Sequence, residues 1–274
     1  MNKAVGAFKY VPLVVWSLIV IVPLLVLLLA SFKTDADYIQ STPIAFPKEW
    51  TLGNFDRVIH EGHLLHALKN SLVLVVCGAC GSVVLGAITA YCLNRFDFKF
   101  KKYIHLLYLA AAIVPGTMLQ IMVYQVVHWL DLTGTMGAPV LIYLSTDIIQ
   151  IWIYLQFLER LSMSLDESAM IDGASYLRIF RSIIFPLLLP ATATVVILKS
   201  IFIYNDMFTQ YLYMSSVDLM TATTALMMFT GQFASTSFNV MAAGIVLVML
   251  PTIVLFLSLQ KYIFAGITHG SVKG

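Results

Sequence analysis

Six apolar runs, each long enough for a helix to cross a bilayer, decide what this chain of 274 residues can fold into. A hydrocarbon core about 30 Å thick takes about 20 helical residues to span. Residues 10–32 supply the first run, without Asp, Glu, Lys or Arg, and residues 71–93 the second. Residues 103–130 contain a third, broken by Pro115-Gly116; a fourth lies within 136–158, a fifth within 182–204, and a sixth covers 238–260. Main-chain polar groups cannot be left unpaired in hydrocarbon, so each run is predicted as a helix. The fold class expected is all-α and integral to the membrane, with six transmembrane helices. Composition agrees: 60% of residues are hydrophobic and 11% charged, against roughly 25% charged in soluble domains. Lys3 and Lys9 precede the first run as in a signal peptide. That run is too long for a signal core, and Leu28-Leu29-Ala30 is not a small-x-small cleavage site, so it is predicted as a retained helix.

Basic residues set the orientation, because Lys and Arg stay on the cytoplasmic side. With the N-terminus inside, the inner segments are 1–9, 94–102, 159–181 and 261–274, and they carry 11 of the 16 basic residues. The outer segments 33–70, 131–135 and 205–237 carry four, none and none, and hold eight acidic residues. Both termini are therefore predicted to be cytoplasmic. The net charge of +2 is small and its basic residues are dispersed, which points away from a nucleic-acid partner.

Two charges fall at membrane depth, Asp147 in the fourth span and Lys199 toward the outer end of the fifth. Either they line a solute path, or Lys199 snorkels to the interface while Ser145, Thr146 or Gln150 satisfies Asp147. Cys77, Cys80 and Cys92 lie in one apolar run with no His or carboxylate beside them, and read as small packing residues.

One inner loop differs from the rest. Residues 159–190 read ERLSMSLDESAMIDGASYLRIFRSIIFPLLLP. Ser164 with Glu167 three residues later has the pattern of a capping box. The helix it would start runs through Ile171 and meets Gly173, where glycine permits a sharp turn. A second helix is expected from Ala174 or Ser175, through Phe180 and Arg181, into the fifth span with Pro186 and Pro190. Ala169, Met170, Leu177, Ile179 and Phe180 give this knob apolar surface. It either buries that surface in a groove of another protein or packs only on its own membrane domain.

The segment Glu167-Ser168-Ala169-x-x-x-Gly173, followed by Phe180 and Ile184-x-Pro186, resembles the EAA loop of ABC importer permeases. Asp172-Gly173-Ala174 has that motif's common form; Ser168 and Phe185 depart from its usual alanine and leucine. Leu68-Lys69-Asn70-Ser71-Leu72, Asn94-Arg95-Phe96 with Lys101, and Tyr204-Asn205-Asp206-Met207-Phe208 resemble further stretches of the family in the same order. The ending from Gln260-Lys261-Tyr262 to Gly274 is similar to that of maltose-type carbohydrate permeases.

The resemblance implies the type I ABC importer permease (MetI-like) fold in a bacterial cytoplasmic membrane. After the first helix (10–32) and an extracytoplasmic loop (33–70), residues 71–274 would form the permease core, with 159–181 as the coupling loop. It implies a partner ATPase dimer docked on Glu167, Ser168, Ala169, Met170, Asp172, Gly173, Ala174, Phe180 and Pro186, with Gly173 setting the bend. ATP and Mg would be held by that subunit, since the present sequence has no G-x-x-x-x-G-K-[ST] and no cofactor of its own is expected. A second, related permease and an extracytoplasmic solute-binding protein complete the implied partners, with membrane lipid around them. Thr230, Gly231 and Gln232 are expected near the tip of the loop that meets the binding protein, and Asp147 and Asn205 along the translocation path. The solute class implied is a sugar or similar small molecule, and Trp152, Tyr154, Tyr204 and Tyr211 are candidates to stack on it.

Two other classes compete. His60-Glu61-Gly62-His63-x-x-His66 suggests zinc, but His60 and His63 are three apart where a zinc protease helix needs four. A self-contained secondary transporter or channel would carry more ionisable residues at mid-depth than Asp147 and Lys199, and gives the 159–181 loop no purpose.

Overall fold

The structure, a computed structural model, describes residues 10–229 and 238–268. Its contacts form two compact units, one of residues 1–68 with 221–251 and one of residues 69–220 with 252–274.

In the first unit, helix α1 (Val11–Ser31) takes the whole of the first apolar run. Only Ala30 and Ser31 of it are buried, as suits a helix whose sides meet lipid. The segment after it folds into α2 (Asp35–Gln40), capped by the Thr34 hydroxyl, and α3 (Gly53–His60). Residues 61–69 form no helix of their own. The chain turns at Gly62-His63, where His63 adopts φ 48°, and residues from Leu64 already belong to the next long helix, α4 (Leu64–Arg95). The amphipathic element is α3, with Val58 and Asn54 inward.

This unit is organised around two buried asparagines. The Asn54 amide donates to the carbonyls of Ser31 and Lys33 at 2.9 and 2.8 Å. The Asn239 amide donates to the Lys33 carbonyl and to Asp35 Oδ1, both at 2.9 Å. These bonds satisfy carbonyls freed where α1 ends, which otherwise would be buried without partners. Lys33 itself is fully buried, and its ammonium donates to Ser41 Oγ and the Thr42 carbonyl. Asn239 lies at the start of α15 (Phe238–Thr268), and a short helix α14 (Ala222–Ala225) precedes it, closed by a reciprocal Thr221–Thr224 capping box.

The second unit contains most of α4, whose 32 residues make it about 48 Å long, well beyond one bilayer crossing. It also holds three bent helix pairs. Helix α5 (Lys101–Ile113) and α6 (Gly116–Trp129) turn by 112° at the predicted Pro115-Gly116 break. Helix α7 (Gly137–Tyr143) and α8 (Ile148–Leu158) turn by 42°. In the loop after α8 come α9 (Ser164–Ile171), α10 (Tyr176–Ile179), a π-helical turn (Phe180–Ile184) and α11 (Phe185–Leu187). There the chain bends by 77° into α12 (Leu189–Asn205). Helix α13 (Met207–Tyr213) follows.

Among the described residues, three helices are therefore long and apolar enough to span a membrane unbroken, and six spans result if each bent pair is one. The protein is all-helical among these residues and multi-pass. Loops expected on one side of the bilayer do meet: Arg95 reaches the Leu161 carbonyl, Gly134 donates to the Tyr213 carbonyl, and Asn70 donates to those of Asp218 and Met220.

Replacing Asn239 with leucine removes the donor to the buried Asn54 Oδ1 and one of the two donors to the Lys33 carbonyl, at about 1–3 kcal/mol for a buried group left unsatisfied. The purified N239L protein is expected to unfold several degrees below wild type in a detergent melt. Ser17→Ala, on the exposed face of α1, serves as the neutral control.

Candidate functional site

The knob between α8 and α12 is held by a buried ion pair that sequence spacing gave no reason to expect. Arg95 Nε lies 3.1 Å from Asp166 Oδ2, with both side chains under one-tenth exposed. The Tyr91 hydroxyl donates to Asp166 Oδ1 at 2.7 Å, and Arg95 also donates to the Leu161 carbonyl at 2.9 Å. The end of α4 thus clamps both the approach to α9 and α9 itself. Charges taken out of water need this fuller set of bonds to be tolerated.

Ser164 does not cap α9, as the capping-box pattern predicted. It is the first helical residue, and the Ser162 hydroxyl accepts its N–H at 3.2 Å. The C-terminus is as expected. Ala174 N–H donates to the Ala169 carbonyl and Gly173 N–H to that of Met170, the paired bonds of a Schellman turn. Gly173 holds φ +79°, and a Cβ added there would meet nothing within 4 Å. Its requirement is therefore one of backbone conformation alone.

The apolar residues of the knob divide. Ala169, Ile179 and Phe180 are buried in the chain's own core with Tyr91, Tyr154 and Leu158, and Ala174 packs on the same cluster. Met170, Leu177 and the unforeseen Ile171 and Tyr176 point outward, with Ile171 87% exposed and Leu177 73%. Glu167, Ser168 and Asp172 are exposed beside them. Pro186 sits at the second position of α11, after a π-helical turn in which Phe185 N–H donates to the Phe180 carbonyl. A proline cannot supply the next helical N–H, and the widened turn accommodates the ring.

A second polar constellation fills the break between α7 and α8. Asp147 caps α8, its Oδ1 accepting the Gln150 N–H at 2.9 Å, and its Oδ2 lies 3.0 Å from Lys199 Nζ. Lys199 also donates to the Ser145 carbonyl at 3.0 Å. It is buried and turned inward, so it does not snorkel. Ser82 Oγ donates to the same Ser145 carbonyl, Gln150 Nε2 donates to the Ser82 carbonyl, and Tyr108 bonds Thr146 at 2.6 Å. Helix α4 comes this near because it is small here: a Cβ at Gly81 or Gly86 would collide with Leu144 or Gln150.

Asp147 and Lys199 line a cavity of about 600 Å³ with Gln120, Tyr143, Phe202 and Asp206 among its walls. Asn205 is not in its lining; its amide bonds back to the Ile201 carbonyl at the end of α12. Of the candidate stacking aromatics, Tyr154 is fully buried and bonded to Thr192, and none of the four lines the cavity, whereas Phe202 does. His60, His63 and His66 are divided between α3, a turn and α4, and no metal-holding cluster exists among the described residues. Thr230, Gly231 and Gln232 lie outside the described residues.

Comparison with known proteins places these features in a family. Residues 82–269 match the binding-protein-dependent transport system inner membrane component, and the chain belongs to that family. It is a membrane permease subunit of an ABC importer, and not an enzyme. It is 31% identical to the melibiose/raffinose/stachyose import permease protein MelC of Bacillus subtilis (strain 168), over 92% of this chain and 91% of that one. It is 26% identical to the trehalose/maltose transport system permease protein MalG of Thermococcus litoralis, over 95% and 94% of the two chains. Its fold matches a chain of a bacterial ABC transporter involved in the import of the acidic polysaccharide alginate. That match has a TM-score of 0.84 at 20% identity, over 96% and 98% of the two chains.

Arg95→Ala leaves Asp166 buried without its counter-charge, and breaking such a pair costs about 3–5 kcal/mol. Thermal unfolding of R95A is expected well below wild type, with the R95M/D166L double variant recovering most of the loss. Equal melting of R95A and wild type would show that the pair does not hold the knob.

Proposed function

We propose that this permease forms, with a second and related permease, the translocation path for a sugar or similar solute handed over by an extracytoplasmic binding protein. The names of relatives such as the melibiose/raffinose/stachyose and trehalose/maltose permeases support the solute class. The distribution of Lys and Arg supports cytoplasmic termini and a place in the bacterial cytoplasmic membrane. Residues 1–9 and the 159–181 knob then face the cytoplasm, residues 33–70 lie outside, and 71–274 form the permease core.

The observation that carries the coupling assignment is the split character of the knob. Its inner side is locked to α4 by the Arg95–Asp166 pair, while its tip offers Met170, Ile171, Tyr176 and Leu177 to the surroundings. A loop that served only its own domain would not leave this row of apolar side chains uncovered. The occupant assigned is a cytoplasmic ATPase dimer, which would bind the ATP and Mg. Its groove would take the apolar tip and offer partners to Glu167, Ser168 and Asp172. Gly173 sets the bend, and Ala169, Ala174, Phe180 and Pro186 fix the knob to the membrane helices. Closure of the ATPase dimer would then move the docked helix as a rigid body. Asp147 is assigned to the solute path through its cavity. Thr230, Gly231 and Gln232 are assigned to the binding-protein contact on resemblance alone.

Ile171→Asp tests this directly. A substitution at so exposed a position should change stability by no more than about 0.5 kcal/mol. Co-purification of the co-expressed ATPase is nevertheless expected to fall at least fivefold, with solute-driven ATP hydrolysis lost. Gly173→Pro, which cannot adopt φ +79°, should do the same by misplacing the tip. Undiminished ATPase capture by both variants would overturn the docking assignment. Uptake that follows an ion gradient without any ATPase would replace it with a secondary carrier.

A further inference from the structure

The cavity beside the α7–α8 break has a chemistry more specific than a general path. Resting on the reading of this chain as a sugar importer permease, we infer that this cavity is a solute-binding site for neutral saccharide rings, and that its charge excludes acidic ones.

Size comes first. About 600 Å³ falls within the ~300–1,000 Å³ of small-molecule sites, and the walls are largely apolar with a few convergent polar groups. Discontinuous helices in transporters commonly border such sites, because a broken helix presents main-chain and capping groups where an intact one presents none.

The polar groups favour hydroxyl donors. Gln120 Oε1 is buried at the cavity wall with no hydrogen-bond partner among the described residues. A buried acceptor left unpaired is costly, and a ligand hydroxyl would relieve it. Asp147 and Asp206 add carboxylate oxygens to the same lining. Asp147 is engaged by Lys199 and the Gln150 N–H, and Asp206 by the Tyr143 hydroxyl at 3.1 Å and the Thr209 N–H at 3.0 Å. Each carboxylate oxygen can accept more than one bond, so both still have capacity.

The same lining also carries an apolar platform. Phe202 lines the cavity, is 59% exposed, and stands edge-on to the Tyr143 ring with centroids 6.5 Å apart. A pyranose ring has a C–H face and a hydroxyl edge, and this pairing of an exposed aromatic with acceptors addresses both. The charge balance selects further. Two carboxylates face one ammonium, and that ammonium is already paired with Asp147 and the Ser145 carbonyl. A uronate carboxylate entering here finds no free cation in the lining and two like charges, so it is repelled.

The test uses the complete importer in nanodiscs without its binding protein, probed by saturation-transfer NMR with raffinose and with trigalacturonate. Wild type is expected to transfer saturation to raffinose and not to trigalacturonate. Gln120→Leu and Phe202→Ala are each expected to cut the raffinose signal at least fivefold while still assembling with the partner subunits at wild-type yield. The two positions lie on different helices, so an assembly defect in one variant leaves the other to decide. Raffinose signals unchanged in an assembled variant would overturn the site, and trigalacturonate binding equal to raffinose would overturn its selectivity. Failure of the sugar-importer reading is separable: wild-type proteoliposomes supplied with binding protein and ATP would then accumulate no saccharide, neutral or acidic.

Discussion

Main-chain polar groups freed inside the bilayer are the constraint on which the second unit depends. That unit holds three bent helix pairs, and a break within hydrocarbon exposes carbonyls and N–H groups that lipid cannot satisfy. At the α7–α8 break the solution is dense. Lys199 and Ser82 share the Ser145 carbonyl, Asp147 takes the Gln150 N–H, and Tyr108 holds Thr146. Small residues on α4 make that solution possible by letting Ser82 approach. The same polar groups that repair the break also give the adjoining cavity its chemistry, so packing and binding are not separate designs here.

The knob follows a different logic. Its rigidity comes from a charge pair sealed among aromatic rings, and its turn comes from backbone conformation with empty space around it. Force applied at Ile171 or Leu177 would meet α9, bolted to the end of α4, and α10, which leads through the π-helical turn and a 77° bend into α12. A partner at the tip can therefore address two membrane helices through one small element.

Long apolar runs made the helices legible, because a bilayer leaves a continuous stretch of such residues few other solutions. Gly173 was equally plain, since a helix stop followed by Ala174 needs a residue that tolerates positive φ. Resemblance to the permease family singled out the 159–181 loop, yet it could not divide the loop's apolar residues into those that anchor and those that protrude. Nothing in the spacing links Arg95 to Asp166, 71 positions apart, or Asp147 to Lys199, 52 apart. Such pairs are created by tertiary packing, and a single sequence holds only their halves. The capping pattern at Ser164 misled because a local motif presumes a helix start that the chain makes elsewhere.

The Asp147–Lys199 pair also bears on how this chain enters its membrane. An isolated ammonium within a membrane helix is costly to place in the bilayer, by up to about 3 kcal/mol at the helix centre. Helix α8 is synthesised before α12, so Asp147 and its neighbouring Ser145 carbonyl are present when Lys199 arrives. The later helix would then have a counter-charge already provided by the earlier one. Biogenesis, and not only the finished permease, would thus depend on a carboxylate placed at a helix break.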